Sequence, residues 1–142
     1  MAILDISDFK TGAGEYLYDN QLVEEIVDDS DFLRATDFVK TFGMQRGVSV
    51  EDMDLDQQTA NFEVKRLAVY WVLSECSRRL ISLNPNFPQI QSASNMDEFA
   101  EKSKIYTTLL NSQKKMISIA MLKNKIESPE QARPASFDFY RA

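Results

Sequence analysis

Four acidic residues near the middle of this chain have the spacing of a calcium-binding loop. Positions one, three, five and twelve of such a loop are held by Asp52, Asp54, Asp56 and Glu63. The sixth position is Gln57, although the sharp turn of the loop requires glycine there. The same carboxylates also suit the segment in front of a helix, because negative charge is favourable at a helix N-terminus. We therefore predict no metal site and keep a calcium-binding module as an alternative.

Residue types that commonly perform catalysis are sparse in the sequence. The chain has no histidine, which is the usual general base and metal ligand at neutral pH. Its single cysteine, Cys76, lies in an apolar run and is expected to pack as a small hydrophobic residue. Gly12 and Gly14 match neither of the common phosphate-binding patterns. We predict that the protein is not an enzyme and that it needs no cofactor.

Aromatic side chains are concentrated in the last residues of the sequence. Phe137, Phe139 and Tyr140 are followed by Arg141, although disordered segments are poor in aromatic residues. In an extended segment Phe137 and Phe139 lie on one side, where they can fill pockets of a partner. We predict that these four residues form a partner-binding site. The alternative is that the tail folds back over the core of its own domain.

Charge is divided unequally along the chain. Residues 1–63 contain 15 acidic and 4 basic residues, whereas residues 64–142 contain 7 acidic and 12 basic residues. A molecule with unlike ends attracts copies of itself head to tail, and such contacts form a ring when the rotation between copies closes. The net charge of −6 argues against general binding of nucleic acid, whose phosphates need clustered lysine and arginine.

Apolar spacing predicts an all-α protein that begins with short elements. Residues 1–18 contain two glycines and are interpreted as an entry arm. Residues 19–42 have apolar side chains three and four apart, which predicts helices. Residues 28–31 are good caps and poor interior residues, so we divide this region into two helices there. Gly43 and Gly47 are expected to end the second helix.

The second half of the chain predicts two longer helices. A helix from Thr59 to about Leu83 is apolar on every side in residues 67–73, so we expect it to be the buried central helix, with Tyr70 and Trp71 in the core. The apolar run is also far shorter than the roughly 20 residues of a membrane span.

A last long helix runs from Asn95 or Asp97 to about Lys125 and is expected to pack antiparallel on the central helix. Its predicted apolar stripe consists of Phe99, Tyr106, Leu109, Leu110, Met116, Ile117 and Ala120. The predicted organisation is a helical bundle domain over residues 1–126 and an extended C-terminal docking tail over residues 127–142.

The order of these elements resembles the head-to-tail connector, or adaptor, proteins of tailed bacteriophages. The resemblance covers residues 19–125. It rests on the helix that contains FEVKRLAVYWVL, residues 62–73, followed by the helix around KIYTTLL, residues 104–110. Proteins of that family are small helical bundles that form a ring, commonly of twelve copies, beneath the capsid portal.

The resemblance implies a structural virion protein of the neck, made in the host cytoplasm and not bound to a membrane. The implied partners are other copies in a ring of twelve, the portal protein, and the next neck or tail-completion protein. DNA would pass through the channel without sequence-specific binding, and each tail would dock on the portal. The alternative from another class is a small helical regulatory or protein-binding module that acts as a monomer or dimer.

Overall fold

The computed structural model describes residues 2–25, 27–83 and 91–124; the side chains of residues 25, 81–83 and 91–97 are outside the description. The elements in these ranges are helices, and they confirm the all-α prediction. The α-helices are α1 (Asn20–Glu25), α2 (Asp29–Gln45), α3 (Phe62–Leu83), α4 (Gln91–Met116) and α5 (Ile119–Leu122). Two 3₁₀ turns, Ile6–Phe9 and Val50–Asp52, precede α1 and α3. Within these ranges, no helix is both long and apolar enough to cross a bilayer.

The predicted division between the first two helices is confirmed at Asp28. Its carboxylate accepts hydrogen bonds from the backbone N–H groups of Ser30 (2.9 Å) and Asp31 (3.2 Å), and the Asp31 carboxylate accepts one from the N–H of Asp28 (3.1 Å). This reciprocal capping box satisfies N–H groups that have no partner within the helix. Hydrogen bonding lowers the pKa of the Asp28 carboxyl, and the bond from the Ser30 hydroxyl is the largest cause.

The prediction that α2 stops at Gly43 is wrong, because the helix continues through it to Gln45. The absence of a side chain at Gly43 leaves room for packing: the end of the Met53 side chain lies where a Cβ atom would stand. Gly47 follows the C-cap residue Arg46 and stops the helix, with a φ of 89°. Bonds from Val48 N–H to the Gly43 carbonyl (2.9 Å) and from Gly47 N–H to the Met44 carbonyl (3.0 Å) complete a Schellman motif.

Helix α3 is the buried centre of the bundle, as predicted. It begins at Phe62 and not at Thr59, because Asn61 accepts a hydrogen bond from the Glu63 N–H (2.8 Å) and caps the helix there. Its fully buried side chains include Leu67, Ala68, Val72, Leu73 and Cys76. Tyr70 and Trp71 are half-buried and pack against this core.

Helix α4 packs against α3 over the most extensive contact in the protein. It begins before the predicted Asn95 and ends at Met116 instead of Lys125, because Ser118 caps the separate helix α5. The antiparallel arrangement is set at one end by Gln113, whose amide donates to the carbonyl (3.0 Å) and carboxylate (2.7 Å) of Glu63.

The predicted apolar stripe of the last helix is only partly buried. Phe99, Leu110 and Ile117 enter the core, whereas Leu109 and Met116 are exposed. Ala120, in α5, is exposed as well. The stripe includes a polar residue, because the buried Gln113 lies between Leu110 and Ile117 at helical spacing.

The predicted entry arm is part of the core. Ile3, Leu4 and Phe9 are completely buried. The Ile3 N–H donates to the hydroxyl of Thr36 on α2 (2.8 Å), which fixes the arm against that helix. The boundary of the bundle at residue 126 and the tail over residues 127–142 lie outside the described residues and stay predictions.

Candidate functional site

The carboxylates that have the spacing of a calcium-binding loop stabilise local turns. Asp54 is buried, and its Oδ1 accepts from the N–H of Asp56 (3.1 Å) and the hydroxyl of Thr59 (2.9 Å); its Oδ2 is buried without a hydrogen-bond partner. The Asp56 carboxylate accepts from the N–H of Gln58 (2.8 Å). Glu63, the twelfth position, is bonded to Gln113. In the described ranges, no three or more acidic or cysteine side chains are grouped so as to hold a metal ion.

Cys76 of α3 is enclosed in the hydrophobic core of the bundle. Its Sγ lies 3.9 Å from Oδ2 of Asp31. Burial, followed by the nearby negative charge of Asp31, raises the pKa of Cys76 to about 12. The thiol therefore stays protonated at neutral pH and is not a nucleophile.

We expect native Cys76 to resist a thiol reagent. Its modification should be at least about 100-fold slower than in the urea-unfolded chain, because the reagent needs an exposed thiolate. Since the folded pKa lies above the ordinary value of 9.0, the thiol should also contribute stability that is lost as the pH rises from 9.0 towards about 12. Absorbance kinetics with an aromatic disulfide measure the first effect; equal rates in both states would contradict this prediction.

Asp31 joins α2 to α3 through a group of charged side chains. Its carboxylate is 2% exposed, and one oxygen accepts from both Arg34 (2.7 Å) and Arg79 (2.6 Å). The pKa of Arg79 is raised, and hydrogen bonding to Asp31 is the largest cause. Asp31 thereby fixes two guanidinium groups at the edge of a surface groove.

The Trp71 groove, as we name it, lies where α2 meets the second half of α3. It encloses about 450 Å³ and is lined by Arg34, Trp71, Glu75, Arg78 and Arg79. The Trp71 indole stacks on Phe38 of α2, with ring centroids 5.4 Å apart and planes inclined by 18°. The groove therefore has an aromatic surface and a rim that contains three guanidinium groups.

Two helices each expose more than one large apolar side chain on the same side, whereas Phe62 of α3 and Ile119 of α5 are exposed singly. Leu33 and Met44 of α2 are 51% and 52% exposed, and we call this surface the α2 face. Ile105, Leu109 and Met116 of α4 are 56%, 38% and 57% exposed and form the α4 face. Within each face the residues are separated by four, seven or eleven positions, which places them on one side of the helix.

Both apolar faces have charged neighbours of both signs. On the α2 face, the exposed Asp37 lies 4.0 Å from Lys40, and both stand between Leu33 and Met44. On the α4 face, the exposed Lys104 and Lys115 directly precede Ile105 and Met116, and the exposed Glu101 lies one turn before Ile105.

Part of the charge difference between the two halves of the sequence is neutralised within the subunit. Three ion pairs between described residues connect the halves: Asp8–Lys65 (3.1 Å), Asp31–Arg79 (2.6 Å) and Asp19–Lys102 (2.8 Å). Other acidic residues of the first half remain exposed: Glu15, Glu24, Asp28, Asp29, Asp37, Glu51, Asp52 and Asp56. The surface formed by the first half is therefore still acidic, although the halves are not separate poles.

The predicted partner-binding residues Phe137, Phe139, Tyr140 and Arg141 lie outside the described residues. The sequence prediction missed both the Trp71 groove and the exposed apolar faces. The spacing of Leu33 and Met44 was a usable signal for one face, since it does not coincide with the core positions of α2.

Comparisons of this chain with protein-family models, with curated proteins and with solved structures found no match.

Proposed function

We propose that this protein is a structural component of a virion, a head-to-tail connector of a tailed bacteriophage. In this role, copies of the chain form a ring that joins the capsid portal to the next neck or tail component. The partners are other copies, the portal protein and a tail-completion protein. DNA passes through the ring without sequence-specific binding.

The observation that carries this proposal is the presence of two exposed apolar faces on different helices. The α2 face of one copy can pair with the α4 face of a second copy. This contact is heterologous, and it leaves the α4 face of the first copy and the α2 face of the second copy unpaired. Heterologous contacts form a ring when the rotation between copies closes, whereas a two-fold dimer uses the same patch twice.

Surface charge supports the same role. The exposed acidic residues of the first half repel the phosphate backbone, which suits a ring through which DNA slides without being held. The chemistry of the described core supports a structural role over a catalytic one, since its thiol is held protonated.

Measurement of particle mass tests the proposal. We expect native mass spectrometry of the protein mixed with the portal protein of the same virion to show complexes that contain many copies of the 16.3 kDa subunit. Connector subunits can wait for the portal before they assemble, so the protein is measured both alone and in the mixture. A monomer or dimer under both conditions would exclude the ring and favour the small regulatory module.

A variant of the α4 face makes the test specific. Ile105→Asp adds a charge to an exposed apolar position and should abolish multi-copy complexes, because it places an unpaired charge in the apolar contact. Asn111→Asp is the matched control, since it adds the same charge to an exposed position of α4 on a different side of the helix. If Ile105→Asp assembles as well as Asn111→Asp, the α4 face is not the contact.

A further inference from the structure

The rim of the Trp71 groove has a surplus of positive charge. Asp31 holds Arg34 and Arg79, and Glu75 lies 3.5 Å from Arg78. Three guanidinium groups are thus balanced by two carboxylates, on a protein whose net charge is −6. Each guanidinium carries several N–H donors in a planar fork that matches a carboxylate. The rim therefore suits a ligand with a carboxylate group.

The wall of the groove suits an aromatic ligand. Trp71 is half-buried, so part of its indole borders the groove while Phe38 stacks on it from α2. Aromatic rings pack well against an indole, and guanidinium groups also attract aromatic faces. The ligand class that satisfies both requirements is a peptide with a carboxylate next to aromatic side chains.

We propose that the Trp71 groove binds residues 137–141 of the same chain. In this segment Asp138 stands between Phe137 and Phe139, which supplies one carboxylate flanked by two aromatic rings. Arg141 follows three residues later and can pair with Glu75, the acidic residue of the groove. The segment complements the groove in negative charge, in positive charge and in aromatic content. A simple anion complements only the arginines, so the segment is the better ligand.

The chain leaves the described bundle at a point that permits this binding. Asn124 donates to the carbonyl of Thr59 (3.0 Å), just before α3 begins. The groove lies beside residues 71–79, and the rise of α3 places it about 20 Å from that point. Residues 125–136 can extend to at most about 40 Å, so the groove is within their reach. Binding within one chain is therefore favoured by a high effective concentration.

The proposal concerns the free subunit and goes beyond the proposed function. A segment held in the groove keeps its aromatic side chains away from other molecules until a partner competes for them. Because binding occurs within the chain, it does not depend on whether the partner is a portal or another protein.

Trp71 is the single tryptophan of the chain, so its fluorescence reports on the groove directly. We expect the variant with Phe137→Ala, Phe139→Ala and Asp138→Asn to increase quenching by acrylamide by about twofold, because the indole becomes more accessible. Acrylamide is uncharged and is not concentrated by the arginines. Ser136→Ala is the control variant beside the segment and should leave quenching unchanged. Urea unfolding of each variant verifies that the bundle is intact.

A variant of the Trp71 groove tests whether the tail variant changes quenching because the segment leaves the groove. Arg78→Ala should increase quenching in the full chain but have little further effect in the tail variant, because both changes release the same segment. Protection of Trp71 should also be the same from about 0.1 to about 10 µM protein if it arises within one chain. Unchanged quenching in the tail variant, additive effects of the two changes, or loss of protection on dilution would each overturn the proposal.

Discussion

Phe9→Ala is expected to lower the free energy of unfolding by about 3 to 5 kcal/mol. The Phe9 side chain is 0% exposed, stacks against Phe32 with centroids 5.8 Å apart and meets the edge of Tyr18 at 6.4 Å. Its removal leaves a cavity between the arm and α2 and loses the transfer free energy of a large aromatic ring. Urea unfolding followed by circular dichroism measures the effect.

Phe62→Ala is the matched control for this prediction. Phe62 is the same residue type, but 63% of it is exposed, so its replacement should change the free energy of unfolding by at most about 1 kcal/mol. If the two variants unfold at the same urea concentration, the first residues of the chain are not part of the cooperative core.

Asp31→Ala is expected to cost about 2 to 4 kcal/mol of stability. The substitution removes the acceptor shared by Arg34 and Arg79 and also leaves the Asp28 N–H without its capping partner. The loss stays below that of a fully buried ion pair, because the side chains of Arg34 and Arg79 are 55% and 33% exposed and regain water.

Two further variants test the role of charge at Asp31. Asp31→Asn keeps one acceptor oxygen and should lose about half as much stability as Asp31→Ala. Asp37→Ala removes an exposed aspartate from the same helix and should cost less than about 0.5 kcal/mol. Equal losses for Asp31→Ala and Asp37→Ala would mean that the link between α2 and α3 contributes nothing measurable.

The sequence was sufficient to predict the helices whose signals are local. Asp28 begins α2 because its side chain and the one three residues later satisfy each other's N–H groups, a pattern that can be recognised without the fold. The continuous apolar run in α3 predicted a helix enclosed on all sides; five of its seven side chains are buried, whereas Tyr70 and Trp71 are half-buried.

Predictions failed where a residue distant in sequence decides the outcome. Gly43 lies inside α2 because the Met53 side chain packs on it, and no local pattern reports that contact. Residues 1–18 were interpreted only as an entry arm, because the hydrogen bond from Ile3 to Thr36, which fixes the arm against α2, joins residues far apart in the chain. The Trp71 groove depends on the pairing of Asp31 with Arg79, which requires the packing of α2 on α3.

Two hydrogen bonds hold the end of the described chain against the segment that precedes α3. The Asp54 N–H donates to the Leu122 carbonyl (2.9 Å), and Asn124 is bonded to Thr59. In a circular arrangement of identical subunits, whatever follows residue 124 must depart from the same radius and height in every copy. A binding partner would then meet a ring of evenly spaced attachment points. Because several of these points can bind it at once, weak individual contacts would give strong overall binding.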